Sequence, residues 1–228
     1  MKRHSTEFLG TFFLVFAGTG AIVIDSVSGG AIGHAGIALT FGLVVLALIY
    51  AFGDISGAHF NPAVTIAFAL ARRFAWKDVP AYLVTQFLGA ISASALLRLL
   101  FPKPSLLGAT LPAESEWQSL ILEFVLTAFL MLVILSVSTG AKEKGITAGI
   151  AIGAVIGLEA MFAGPICGAS MNPARSFAPA LVSGHLEHLW VYFLGPLGGA
   201  AVAVPVCCLI REPECCSKSA ATHESCPD

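Results

Sequence analysis

Two stretches decide how this chain is read: Ser56-Gly-Ala-His-Phe-Asn-Pro-Ala-Val-Thr65 and Gly164-Pro-Ile-Cys-Gly-Ala-Ser-Met-Asn-Pro-Ala-Arg-Ser176. Each is a glycine-bearing segment that ends in Asn-Pro-Ala and runs on into a short apolar segment. Asparagine is a strong helix N-cap, and proline suits the first helical turn, where its missing N–H costs nothing, so each Asn-Pro opens a helix. The apolar segments that follow, residues 63–70 and 174–182, fall well short of the roughly 20 residues that a bilayer-spanning helix needs. They are expected to be half-helices that enter a membrane and stop. One Asn-Pro-Ala would carry little weight, since a helix start can supply it by chance. Two in matching places carry much more.

The match extends outward on both sides. Glu7-Phe-Leu-Gly-Thr-Phe-Phe-Leu14 shares Glu, Phe, Thr, Phe and Leu at equal spacing with Glu123-Phe-Val-Leu-Thr-Ala-Phe-Leu130. Gly57-Ala58 precedes Asn61 as Gly168-Ala169 precedes Asn172, and Phe87-Leu-Gly89 recurs as Phe193-Leu-Gly195. The chain therefore reads as a tandem duplication over about 5–101 and 117–210, each copy holding three spans and one half-helix. Three is odd, so the copies enter the membrane with opposite topology and their half-helices dip in from opposite faces. The expected fold is an all-α membrane protein: six transmembrane helices plus two re-entrant half-helices in an inverted repeat. One membrane domain would cover 1–210, followed by a Cys-rich tail, 211–228, whose Pro, Ser and Thr content points to disorder.

Composition agrees. Charged residues are 11% of the chain and apolar ones 57%, against about 25% charged in soluble domains. Apolar segments near residues 5–24, 34–52, 79–101, 117–138, 145–162 and 186–210 supply the spans. Glycines within them, such as Gly10, Gly18, Gly89, Gly149, Gly153, Gly157, Gly195 and Gly199, read as close helix contacts. The first apolar run shows no cleavage site and is expected to be a retained helix. Lys2, Arg3, Arg72, Arg73, Lys77, Lys142, Lys144, Arg211 and Lys218 fall on one side of the alternation, and only Arg98 and Lys103 on the other. Both termini are therefore expected in the cytoplasm. The net charge of −2 and the absence of a basic block give no sign of a nucleic-acid partner.

Few residues carry chemistry. Arg175 at membrane depth costs at least ~2.5 kcal/mol on insertion scales, so it points to function or an aqueous lining, the alternative being snorkelling from a helix end. Glu7 and Glu123 lie inside spans at repeat-related places, where loop support competes with proton relay. Glu159 faces either another helix or the lumen. His34 reads as an interfacial polar residue, and His59 as loop-packing or pore-lining. No histidine shows metal-ligand spacing with cysteine, and no nucleophile, base or metal set suggests an enzyme or a cofactor. Cys207, Cys208, Cys215, Cys216 and Cys226 gather at the end, where soft thiols suit trivalent arsenic, palmitoylation or neither.

With these residues in view, the doubled Asn-Pro-Ala and its flanks resemble the aquaporin, or major intrinsic protein, family. Residues 56–68, Arg73-Phe-Ala-Trp-Lys-Asp-Val-Pro-Ala-Tyr82 and residues 164–179 resemble its nodulin-like subgroup and that subgroup's bacterial relatives. The resemblance implies a passive channel for small neutral solutes in a lipid bilayer, a bacterial inner or plasma membrane, and assembly as a homotetramer. It implies that half-helix N-termini repel cations and protons, a device for which aquaporins are themselves the standing example. Asn61 and Asn172 would point amide N–H groups into the lumen, and carbonyls of Gly57, Ala58, His59, Cys167, Gly168 and Ser170 would form an acceptor ladder. The resemblance also makes Arg175 part of a selectivity filter with Phe41, Ala160 and Ala169, and makes Glu7 and Glu123 supports of the re-entrant loops. Strict water channels of the family usually carry histidine where Ala160 stands. The two alanines favour glycerol-like polyols and neutral metalloid hydroxides such as arsenous or boric acid. Ser176, Ala180, Tyr192 and Phe193 lean instead to a water-selective pore. A structural membrane protein without transport is the reading of a different class.

Overall fold

A computed structural model describes residues 1–103, 106–138 and 142–210. The expectations placed on the tail, including Cys215, Cys216 and Cys226, lie outside the described residues. Six long helices, α1 (Lys2–Val27), α2 (Gly33–Ser56), α4 (Val79–Leu100), α5 (Glu116–Val137), α6 (Lys142–Cys167) and α8 (Leu189–Ile210), alternate with two short ones, α3 (Pro62–Leu70) and α7 (Pro173–Ser183). All six long helices contain a stretch apolar and long enough to cross a membrane. Leu39 and Leu43 of α2, Ile121 and Val125 of α5, and Leu194 and Leu209 of α8 stand exposed on the outer surface. Such a belt would aggregate in water and is solvated by hydrocarbon.

The two halves repeat one packing scheme. α1 lies along α4 as α5 lies along α8, and α2 packs against α6 to join the halves. Each half-helix rests on both α4 and α8. The short helices begin as expected: Asn61 and Asn172, both extended in backbone, accept N–H bonds from Ala63 and from Ala174 and Arg175, with proline in the first turn.

Two boundaries differ from the sequence reading. α2 continues through Gly53 and Asp54 to Ser56, and α6 continues through Gly164 and Pro165 to Cys167. Glycine and proline break helices in water because the freed backbone groups find solvent. In hydrocarbon they do not, so the helix persists wherever sterics permit. The non-helical loops are correspondingly short, residues 57–61 and 168–172.

The α2–α6 contact depends on two glycines facing one another. A Cβ on Gly42 would stand 2.6 Å from the Gly153 carbonyl oxygen, and one on Gly153 would stand 2.6 Å from that of Gly42. Gly42→Val is therefore expected to cost about 1–3 kcal/mol by overpacking, read as a lowered unfolding midpoint in detergent. Gly53→Ala, whose new Cβ meets nothing nearer than 3.9 Å, should leave the midpoint in place.

Candidate functional site

The helices enclose an elongated cavity of about 660 Å³. Tyr50, Asp54, Val137 and Ser138 line it at the C-terminal ends of α2 and α5, and Phe41, Ala160 and Arg175 line it toward the other end. Its walls are unlike. Val45, Ile49, Ile134, Ile152 and Ile156 make one wall apolar, while the loops 57–61 and 169–172 bring backbone, Asn61 and Asn172 to the other. A solute in such a passage meets a track of polar groups along one side and a surface that holds nothing along the other.

The polar track has a strained backbone. Ala58 (φ 51°) and Phe60 (φ 49°) follow Gly57 (φ 87°), and the same places in the second loop hold Gly168 (φ 81°), Ala169 (φ 41°) and Met171 (φ 53°). Left-handed conformations at non-glycine residues are costly and persist only where the surroundings over-determine them. Two buried carboxylates do so here. Glu7 accepts bonds from the His59 N–H (3.0 Å) and the Phe60 N–H (2.8 Å), and also from the Ser56 hydroxyl (2.7 Å) and the Gln86 amide (2.9 Å). Glu123 accepts from the N–H groups of Ser170 (2.7 Å) and Met171 (2.8 Å). Both glutamates have no exposed surface. Every oxygen of the pair holds an N–H of a bent loop, a supporting geometry.

The asparagines also do more than face the lumen. Asn61 Nδ2 donates to the Met171 carbonyl (2.8 Å), and Asn172 Nδ2 donates to the Phe60 carbonyl (2.9 Å), so each loop clasps the other. An amide carries two N–H groups. The expectation that both face a passing solute is corrected to one each, and the carbonyls of Phe60 and Met171 are committed to the clasp. Cys167 is the last residue of α6, fully buried, with its thiol on the Ala163 carbonyl, and the cavity lining takes up the chain from Ala169.

Arg175 is 3% exposed and stacks its guanidinium over the Phe41 ring, 4.9 Å from the centroid. Its Nη1 donates to the Gly108 carbonyl at 2.8 Å. Phe41, Ala160, Ala169 and Arg175 are thus brought to one cavity. Glu159 is not among its lining residues. It is fully buried, with neither carboxylate oxygen hydrogen-bonded among the described residues. His59 both lines the cavity and packs against Phe68, Phe74 and Tyr82, with Nδ1 3.1 Å from the Thr65 hydroxyl. His188 pairs with Glu116 at 2.6 Å and His185 with Glu187 at 3.6 Å, both away from the cavity.

Sequence reasoning passed over Gln86, Gly108 and Thr110. Gln86 bridges Glu7 and the Thr65 hydroxyl, and Thr110 donates to Ser176 at 2.7 Å. Gln86 carried a usable signal as a polar residue within an apolar span. Gly108 carried none, since it contributes only a carbonyl.

The description "Major intrinsic protein" belongs to the family model that matches residues 1–206. The chain is 50% identical over 212 residues to aquaporin NIP1-1 of Oryza sativa subsp. japonica, covering 92% of this chain and 75% of the relative. It is 48% identical over 211 residues to putative aquaporin NIP4-1 of Arabidopsis thaliana, again 92% of this chain and 75% of that one. An X-ray structure of the aquaglyceroporin from Plasmodium falciparum superposes with a TM-score of 0.84 at 26% identity, covering 94% of this chain and 98% of the other.

The bracing carboxylates yield a test. Glu123→Leu leaves the Ser170 and Met171 N–H groups buried without acceptors, at about 1–3 kcal/mol each. The expected result is a clear drop in unfolding midpoint and in solute flux per folded molecule. Substituting Leu for Glu116, which is 40% exposed in its side chain, should change neither.

Proposed function

Because the chain belongs to the major intrinsic protein family, whose members are transmembrane solute channels and not enzymes, we propose that its pore passes water together with glycerol-like polyols and compact neutral hydroxides such as arsenous or boric acid, and that it excludes protons and ions. The observation that carries this reading is the group at Arg175. Its guanidinium lies over Phe41, and the remaining cavity-lining positions nearby, Ala160 and Ala169, end at a methyl group. An arginine donor and an aromatic face suit a solute with hydroxyls on one edge and carbon, boron or arsenic behind them. Two alanines leave it room. The likeness to the aquaglyceroporin from Plasmodium falciparum supports the same class.

Exclusion of charge follows from the half-helices. α3 and α7 open at Asn61 and Asn172, both on the cavity, and each presents about half a positive charge there. Together with Arg175 they form a positive field that opposes cations and hydronium. The apolar wall of Val45, Ile134 and Ile152 offers a stripped anion no compensation. One free N–H on each asparagine donates to a solute oxygen, and the loop carbonyls not committed to the clasp accept from it. We place both termini on the cytoplasmic side from the distribution of Lys and Arg, and assembly as a homotetramer rests on the family resemblance.

Stopped-flow light scattering on proteoliposomes tests the solute class. Rapid shrinkage and re-swelling in glycerol is expected, followed by saturable or linear arsenite entry. Ala160→His should lower the ratio of glycerol to water permeability by about tenfold, the discrimination that a steric change in a pocket commonly gives. Rapid shrinkage without re-swelling in the unsubstituted protein would instead establish a water-selective pore.

A further inference from the structure

The tie between His34 and α6 has no role in the function derived so far. In an α-helix, the carbonyl of residue 161 takes its bond from the N–H of residue 165. Residue 165 here is proline, which has no N–H, so the Met161 carbonyl is left without its helical donor. His34 Nε2 lies 2.6 Å from that oxygen. A carbonyl only accepts, so Nε2 carries the hydrogen. The approach is made possible by Gly164, where a Cβ would sit 3.0 Å from His34 Cε1.

The location gives this bond its meaning. His34 lies in the first turn of α2, and Phe41 follows it by seven residues, two turns on along the same face. Met161 directly follows Ala160 in α6. Deeper in the bundle, α2 and α6 are clamped by the Gly42–Gly153 contact. Ala160 thus sits on a stretch of α6 held at both ends, by glycine contact on the inner side and by the imidazole on the outer side. Without the second tie, a helix end that already lacks one internal bond is free to lean away from Phe41.

We propose that His34 is a positioning residue for solute selection, fixing the spacing of Phe41 and Ala160 by supplying the donor that Pro165 withholds from Met161. The proposal rests on the reading of Phe41, Ala160, Ala169 and Arg175 as the selective constriction. Its readout is a ratio of permeabilities, which does not depend on how much protein folds. In proteoliposomes, His34→Ala is expected to shift the glycerol-to-water ratio by roughly threefold to tenfold, the scale on which one lost hydrogen bond alters an equilibrium. His34→Phe, which keeps the ring and removes the donor, should shift it equally. Pro165→Ala restores an N–H to α6, and in that background His34→Ala should change the ratio far less.

An unchanged ratio in both His34 variants would overturn the proposal, as would an equal shift with and without Pro165. Should the unsubstituted protein pass water but no glycerol, the polyol reading fails by itself. The same four-way comparison is then read on water permeability per channel, where a null result for His34 overturns the tie and a shift that Pro165→Ala abolishes upholds it.

Discussion

A bare backbone amide or carbonyl is not tolerated in hydrocarbon, yet this chain places two non-helical loops, residues 57–61 and 168–172, deep in its interior. Everything else in the site answers to that constraint. Glu7 and Glu123 take the inward-facing N–H groups, the two asparagines cap the helices that follow, and the remaining carbonyls are left to a wet cavity. The passage is in this sense the remainder of a hydrogen-bond account. Polar groups that the protein does not satisfy internally are lined up for a solute to satisfy one after another.

The two loops are braced unequally. Glu7 gathers four donors, including the side chains of Ser56 and Gln86, and Tyr82 adds a bond to the Ser56 carbonyl. Glu123 gathers two backbone donors, and the second loop leans instead on Thr110 and Ser176 and on the segment that offers Gly108 to Arg175. The half of the pore that carries Arg175 is therefore tied to a connecting segment, whereas the other half is tied to its own helices. The Arg175 group lining the cavity and the carboxylates that brace the loops are thus different residues.

Much of this was legible in the sequence, and for physical reasons. Asn-Pro is a local signal, read from capping and from proline's geometry, and it placed the starts of α3 and α7 correctly. Glu7, Glu123 and Arg175 stood out because ionised groups are rare at membrane depth. The ends of α2 and α6 were misjudged because Gly53-Asp54 and Gly164-Pro165 are breakers by the rules of water, where competing solvent makes the break cheap. The Asn61–Met171 and Asn172–Phe60 bonds were invisible because they join residues more than 100 positions apart through backbone carbonyls, which any residue possesses. Gly108 was beyond reach for the same reason.

That reciprocal clasp has a consequence for biosynthesis. The first loop is made complete only by Met171 and Asn172, which emerge from the ribosome after three further long helices, α4, α5 and α6, have been made. Until then the Asn61 Nδ2 group and the Phe60 carbonyl lack their clasp partners, and of the two long helices that support α3 only α4 has been made, because α8 does not yet exist. The clasp therefore closes only once both loops have been made, and the first half is not a finished template for the second.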